Sequence, residues 1–89
     1  MIEKQITISN KLGLHARAAA KFVRTANNFK SKITLGKESR RIDGKSILGI
    51  LMLAAGQGTN LLLRIEGPDE REAYESLVLL IENKFGEGQ

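Results

Sequence analysis

Residues 2–26 read IEKQITISNKLGLHARAAAKFVRTA, and within this stretch the hydrophobic repeat changes once. Ile2, Ile6 and Ile8 alternate with Glu3, Gln5, Thr7 and Ser9, the two-residue period of a half-buried strand. Asn10-Lys11-Leu12-Gly13 breaks that strand with turn-forming residues. From Ala16 to about Asn28 the period becomes helical. Ala19, Phe22, Val23 and Ala26 fall at i, i+3, i+4 and i+7, while Arg17, Lys21, Arg24 and Asn28 fall on another face.

Downstream the same two periods take turns. Ile33 and Leu35 alternate with Lys32 and Thr34, a second strand, and Gly36-Lys37-Glu38-Ser39 reads as a hairpin turn. Arg40 to Asp43 makes a short third strand with Ile42 pointing inward. Ser46 precedes a short apolar helix, Ile47 to Leu53, which Gly56 is expected to end. Leu61, Leu63 and Ile65 alternate with Leu62, Arg64 and Glu66, a fourth strand. Gly67-Pro68-Asp69-Glu70 opens a last helix, with proline in its first turn and acids near the positive end of its dipole. Tyr74, Leu77, Val78 and Ile81 form its apolar face, and Gly86 is expected to close it. The order is βαββαβα. Strands with one apolar face need helices on that face and leave the other wet. The expected fold is therefore α+β, an open-faced sandwich: a four-stranded, mainly antiparallel sheet with three helices on one side.

Composition narrows the class. At 89 residues the chain suits one domain, 1–89, with a core so small that most large apolar residues must enter it. Cysteine is absent, which removes disulfides and thiolate metal sites. The start lacks the basic and apolar regions of a signal peptide, and the longest nearly unbroken apolar stretch, Ile47 to Ala55, is too short to cross a bilayer. These features predict a cytoplasmic protein without membrane insertion. The net charge of +4 is unevenly spread: no acid occurs between Glu3 and Glu38, and seven of the ten acids lie from Glu66 onward. The basic half suits an acidic partner, nucleic acid or phosphate.

The single histidine, His15, stands just before the first helix, where unpaired N–H groups point outward and the dipole contributes about half a positive charge. Arg17 offers a guanidinium suited to phosphate oxygens, and Gly13 lets the loop bend close to a ligand. The N–H groups of Ala16, Arg17 and Ala18 would cradle an anion. Imidazole is nucleophilic near neutral pH, so the combination makes an anion site with a nucleophile inside it. No carboxylate lies near His15 in sequence, so a hydrolytic triad lacks local support. With one histidine and no cysteine, no metal or other cofactor is expected.

Gly13-Leu14-His15-Ala16-Arg17 and the alanine-rich helix after it resemble the active-site segment of the histidine-containing phosphocarrier family of the bacterial phosphoenolpyruvate-dependent sugar phosphotransferase system. Gly44-Lys45-Ser46-Ile47-Leu48-Gly49-Ile50-Leu51 is similar to that family's regulatory serine segment. The resemblance runs from Ile2 to about Phe85. It implies that His15 accepts a phosphoryl group on Nδ1 from enzyme I and donates it to the A domain of an enzyme II, with Arg17 stabilising the phosphate. It also implies a carrier rather than a stand-alone enzyme, and modification of Ser46 by a kinase/phosphorylase. The family commonly has proline where this chain has Ala18, which leaves the first helical turn less pre-set.

Ser46 also has an ordinary role, as an N-cap worth roughly 1 kcal/mol over alanine. The helix after it has no polar face. Some of Ile47, Leu48 and Leu51 are therefore expected to stay exposed as a docking patch, ringed by basic Arg17, Lys21, Arg24 and Lys45. Gly44-Lys45-Ser46 ends like a phosphate-binding loop, but that pattern needs glycine at position 39, which is serine. A nucleic-acid module is the less favoured reading, since aromatics are only 4% and no aromatic-rich strand suits base stacking. Within the family, a nitrogen-related branch is the alternative to sugar uptake. A monomer is expected, with Leu62 on the outer sheet face open to weak self-association.

Overall fold

The computed structural model describes residues 1–88; Gln89, the last residue of the expected 1–89 domain, lies outside them. Among the described residues the order is β1 (Ile2–Thr7), α1 (Ala16–Ala26), β2 (Lys32–Lys37), β3 (Arg40–Asp43), α2 (Ile47–Met52), β4 (Asn60–Glu66) and α3 (Glu70–Glu82), then a short 3₁₀ turn over Lys84–Gly86. The sheet order is β1-β4-β2-β3, and every neighbouring pair is antiparallel. The fold class and element order agree with the sequence reading.

Topology follows from this order. β1 and β2 both flank β4 and run parallel to each other, so α1 is the crossover that joins them; α2 does the same for β3 and β4. β4 becomes the central partner, pairing Leu61 with Ile6, Leu63 with Leu35, and Ile65 with both Ile2 and Ile33. Leu61, Leu63 and Ile65 are buried, as are Ile33 and Leu35, so the alternation puts one face in the core. Each such side chain contributes about 1.5–3 kcal/mol on burial. From above, α1 contributes Ala18, Ala19, Phe22, Val23 and Ala26, and it packs against both α2 and α3.

Element ends differ from the sequence reading in instructive ways. The expected four-residue hairpin turn shrinks, because β2 runs through Lys37, which pairs with Arg40; Glu38 and Ser39 make the turn, with Glu38 at φ 56°. α1 stops at Ala26, short of Asn28, with Asn27 as its C-cap. α2 ends at Met52 with Leu53 as its cap, and Ala54 at φ 51° turns the chain before Gly56 is reached. Two cations close that end instead: Lys37 donates to the Leu53 carbonyl at 2.9 Å and Arg40 to that of Met52 at 2.6 Å.

Pro68 precedes α3 rather than lying in its first turn, and Asp69 is the N-cap residue. The Asp69 carboxylate does not cap its own helix. It accepts from the Ser31 hydroxyl at 2.6 Å and from the Lys30 and Ser31 backbone N–H groups, tying α3 to the start of β2. α3 ends at Glu82, not Gly86, and buries Ala73, Leu77 and Ile81, while Tyr74 and Val78 are half-buried. Gly86 serves the turn beyond, where Lys84, Phe85 and Gly86 all have positive φ and Phe85 is buried. That turn folds the C-terminal segment back toward the start of α1.

Candidate functional site

The loop before α1 is held from beneath. Asn10 is buried and donates through Nδ2 to the Gly13 carbonyl at 2.8 Å. Gly13 sits at φ 70°, where a Cβ would lie 2.6 Å from the Ala55 carbonyl oxygen and 2.7 Å from the Gly56 Cα, so only glycine fits. Leu14 is buried and its N–H donates to the Ala55 carbonyl at 2.8 Å. The loop thus rests on the segment that follows α2.

His15 is the N-cap of α1, with extended backbone (φ −76°, ψ 179°). Its carbonyl accepts the first helical bond, from the Ala19 N–H at 2.8 Å. Its Nδ1 accepts the Arg17 backbone N–H at 3.2 Å. Ala16 and Ala18 supply the other N–H groups of the first turn, which by helix geometry have no carbonyl one turn back. No acid occupies this first turn. The Arg17 side chain is exposed and the Ala18 methyl is buried in the core.

The other ring nitrogen, Nε2, meets the Glu87 carboxylate. Glu87 is 72 residues away in sequence. Its second oxygen accepts from the Asn10 Nδ2 at 3.0 Å. Partial burial pushes the Glu87 carboxyl up, but hydrogen bonds from Asn10 and His15, with the nearby charge of Lys21, outweigh it and hold the group below its usual value. A donor on one side and an acceptor on the other assign the ring: Nδ1 accepts an N–H and so carries the lone pair, while Nε2 faces a carboxylate and so carries the proton. His15 remains 28% exposed at the mouth of an open depression of about 590 Å³ that Arg17 and Lys11 also line. The arrangement can present an imidazole nucleophile to an incoming electrophile, with helix N–H groups and a guanidinium ready for its negative oxygens.

The remaining expected residues are placed as follows. The Lys21 ammonium donates to the Phe85 carbonyl at 2.6 Å and that of Lys45 to the Phe29 carbonyl at 2.7 Å, so both are tied to backbone, whereas Arg24 is exposed. Ser46 caps α2, accepting the Gly49 N–H at 3.0 Å. Ile47, Leu48 and Leu51 are exposed, joined by Met52, and only Ile50 of α2 is buried. Leu12, beside His15 in the same depression, is exposed as well. Sequence reasoning missed Glu87 and Asn10. Asn10 read only as a turn former, and Glu87 entered only as one of the seven acids from Glu66 onward; no spacing rule joins either to His15. Among the described residues no cluster of three His, Cys, Asp or Glu side chains suits a metal ion, and no helix is long and apolar enough to cross a membrane.

A family model described as the PTS HPr component phosphorylation site matches residues 2–83. The phosphocarrier protein HPr of Cupriavidus necator is 51% identical over 89 residues, covering 100% of both chains. A crystal structure of HPr-C-His from Thermoanaerobacter tengcongensis superposes with a TM-score of 0.94 at 52% identity, covering 98% of each chain. A crystal structure of an HPr dimer from the same organism gives a TM-score of 0.79 at 52% identity, covering 98% of this chain and 100% of that one.

Proposed function

This chain belongs to the HPr phosphocarrier family of the phosphotransferase system, and on that basis we propose that His15 accepts a phosphoryl group from phosphorylated enzyme I and passes it to the A domain of an enzyme II. The observation that carries this reading is the Nδ1 lone pair of His15 lying at the N-terminus of α1, in contact with the Arg17 N–H. Attack by Nδ1 on phosphorus forms the P–N bond as the donor's bond to phosphorus breaks and its electron pair leaves with the donor. The oxygens of the transferred group then replace Nδ1 as the acceptor of the Arg17 N–H and also meet the first-turn N–H groups of Ala16 and Ala18. The Arg17 guanidinium adds a mobile cation from the same turn, which suits a group that must arrive and leave. The protein is a carrier between two enzymes and turns nothing over alone.

Docking is assigned to α2. Ile47, Leu48, Leu51 and Met52 form an exposed apolar strip on a helix only about 9 Å long. The segment at its end supports the His15 loop through Ala55. Arg17 and Arg24 supply exposed positive charge to steer an acidic partner, with Lys21 and Lys45 adding theirs from tethered positions. Ser46, at the start of this helix, is the site for a regulatory kinase/phosphorylase. A phosphate there brings about −1.5 to −2 charges to the edge of the apolar strip and opposes docking without disturbing the helix start. The unit that acts is the single chain 1–89, as a cytoplasmic monomer.

The test is direct. Incubation with phosphoenolpyruvate and enzyme I is expected to add one phosphoryl group in an intact-mass spectrum. The adduct should be acid-labile and absent from His15→Ala. No addition in the presence of an active enzyme I overturns the reading.

A further inference from the structure

Glu87 lies beyond residues 2–83, which the family model matches, yet its carboxylate is the partner of the reacting imidazole. Its placement is built rather than incidental. Phe85 is 1% exposed and anchors the C-terminal turn in the core. The Lys21 ammonium holds the Phe85 carbonyl at 2.6 Å. Positive φ at Lys84, Phe85 and Gly86 brings the chain back across the start of α1. Asn10, itself fully buried, takes one carboxylate oxygen and leaves the other to His15 Nε2. The Glu87 side chain is 14% exposed, so water competes little for it.

We propose that Glu87 is a positioning residue for the phosphoryl acceptor: it keeps the proton of His15 on Nε2, leaving Nδ1 free to attack, and it balances the ring's charge once Nδ1 is phosphorylated. This rests on the carrier reading above. Neutral imidazole otherwise divides between two tautomers, and a ring protonated on Nδ1 must lose that proton before it can react. With the proton held on Nε2, no proton has to move. The Nδ1 lone pair forms the P–N bond, the donor's bond to phosphorus breaks, and the Nε2 proton stays. The phosphorylated ring then carries one positive charge, facing one negative carboxylate. The other charged groups at the site are Lys11 on the loop and Arg17 and Lys21 on α1, all positive, so Glu87 is the charge that can play this part. Its lowered carboxyl keeps it ionised at neutral pH.

The experiment compares wild type, Glu87→Ala and Glu87→Gln. Nitrogen-15 NMR of the neutral His15 ring reads the tautomer, and rapid-quench assays with phosphorylated enzyme I read the transfer rate. Wild type is expected to show the Nε2–H form almost alone, and Glu87→Ala a mixture of both forms. Glutamine keeps an acceptor but not the charge, so Glu87→Gln is expected to retain the tautomer and still transfer more slowly. The loss in Glu87→Ala should be roughly tenfold, the size expected for one charge-assisted hydrogen bond. If both variants match wild type in tautomer and in rate, the proposal is overturned while the carrier reading stands. If wild type itself takes no phosphoryl group from active enzyme I, the carrier reading and the transfer role of Glu87 fall together.

Discussion

At the scale of the residue, the site depends on a few atoms held from several directions. Gly13 is the least replaceable, because its positive φ and its contact with the Ala55–Gly56 backbone leave no room for a Cβ. Gly13→Ala is expected to displace the loop that carries His15, cutting phosphoryl acceptance at least tenfold, as small misplacements of reacting groups do. Rapid-quench rates with enzyme I check this, and circular dichroism should show the helices retained. Arg17 contributes both its backbone N–H, fixed on Nδ1, and its side chain, free in the depression. Arg17→Lys keeps the first and loses the planar fork of the second. It is therefore expected to slow transfer roughly 10- to 100-fold, at or below the lower end for loss of a preorganised donor because the guanidinium is exposed, while the ring tautomer read by NMR stays unchanged.

At the scale of the element, α2 combines two demands that pull apart. A six-residue helix is too short to be stable alone and needs its cap and its packing. Ser46 supplies the N-cap, Lys37 and Arg40 close the other end, and Ile50 is the only side chain of the helix that is buried. Its outer face is left apolar, which costs solubility and is retained for docking in the reading above. Ser46→Ala is expected to lower stability by about 1 kcal/mol, measurable by urea denaturation. Leu48, 69% exposed, separates the two demands. Leu48→Asp is expected to leave the urea midpoint nearly unchanged and to weaken enzyme I binding at least tenfold by calorimetry, as loss of a buried apolar contact would. Equal binding by the variant would remove α2 from the docking surface.

At the scale of the whole molecule, carboxylates fasten the chain's distant parts. Asp69 ties α3 to β2, with its carboxyl lowered mainly by the Ser31 hydroxyl. Glu70 accepts from the N-terminal amine at 2.9 Å, which lowers it chiefly, and from the Gly67 N–H. Glu87 ties the C-terminal turn to α1. All three lie below their usual values, so the unfolded chain binds protons more readily than the folded one in the acid range. The stability they contribute is present above the ordinary carboxylate range and is lost as pH falls through their lowered folded values. Melting temperature is accordingly expected to fall between about pH 5 and pH 2, and Asp69→Asn should flatten that fall. A melting temperature as high at the acid end as at neutral pH would contradict it.

The sequence alone determined which segments are strands and which are helices, because period two and period 3.6 can be read from side-chain order alone. It placed Leu61, Leu63 and Ile65 on one face and Phe22 and Val23 on another, and both sets are buried. It also put His15 and Arg17 together at one helix start, because local spacing maps onto local geometry there. Element ends were less legible. Gly56 and Gly86 looked like helix stops, but contacts made elsewhere decided where α2 and α3 end. Only the tertiary structure brought Glu87 and Asn10 to the histidine and tied Lys21 to Phe85. Those contacts join residues 64 to 77 positions apart, and no periodicity links them. They exist because Phe85 must be buried, and burying it carries Glu87 back to the start of α1.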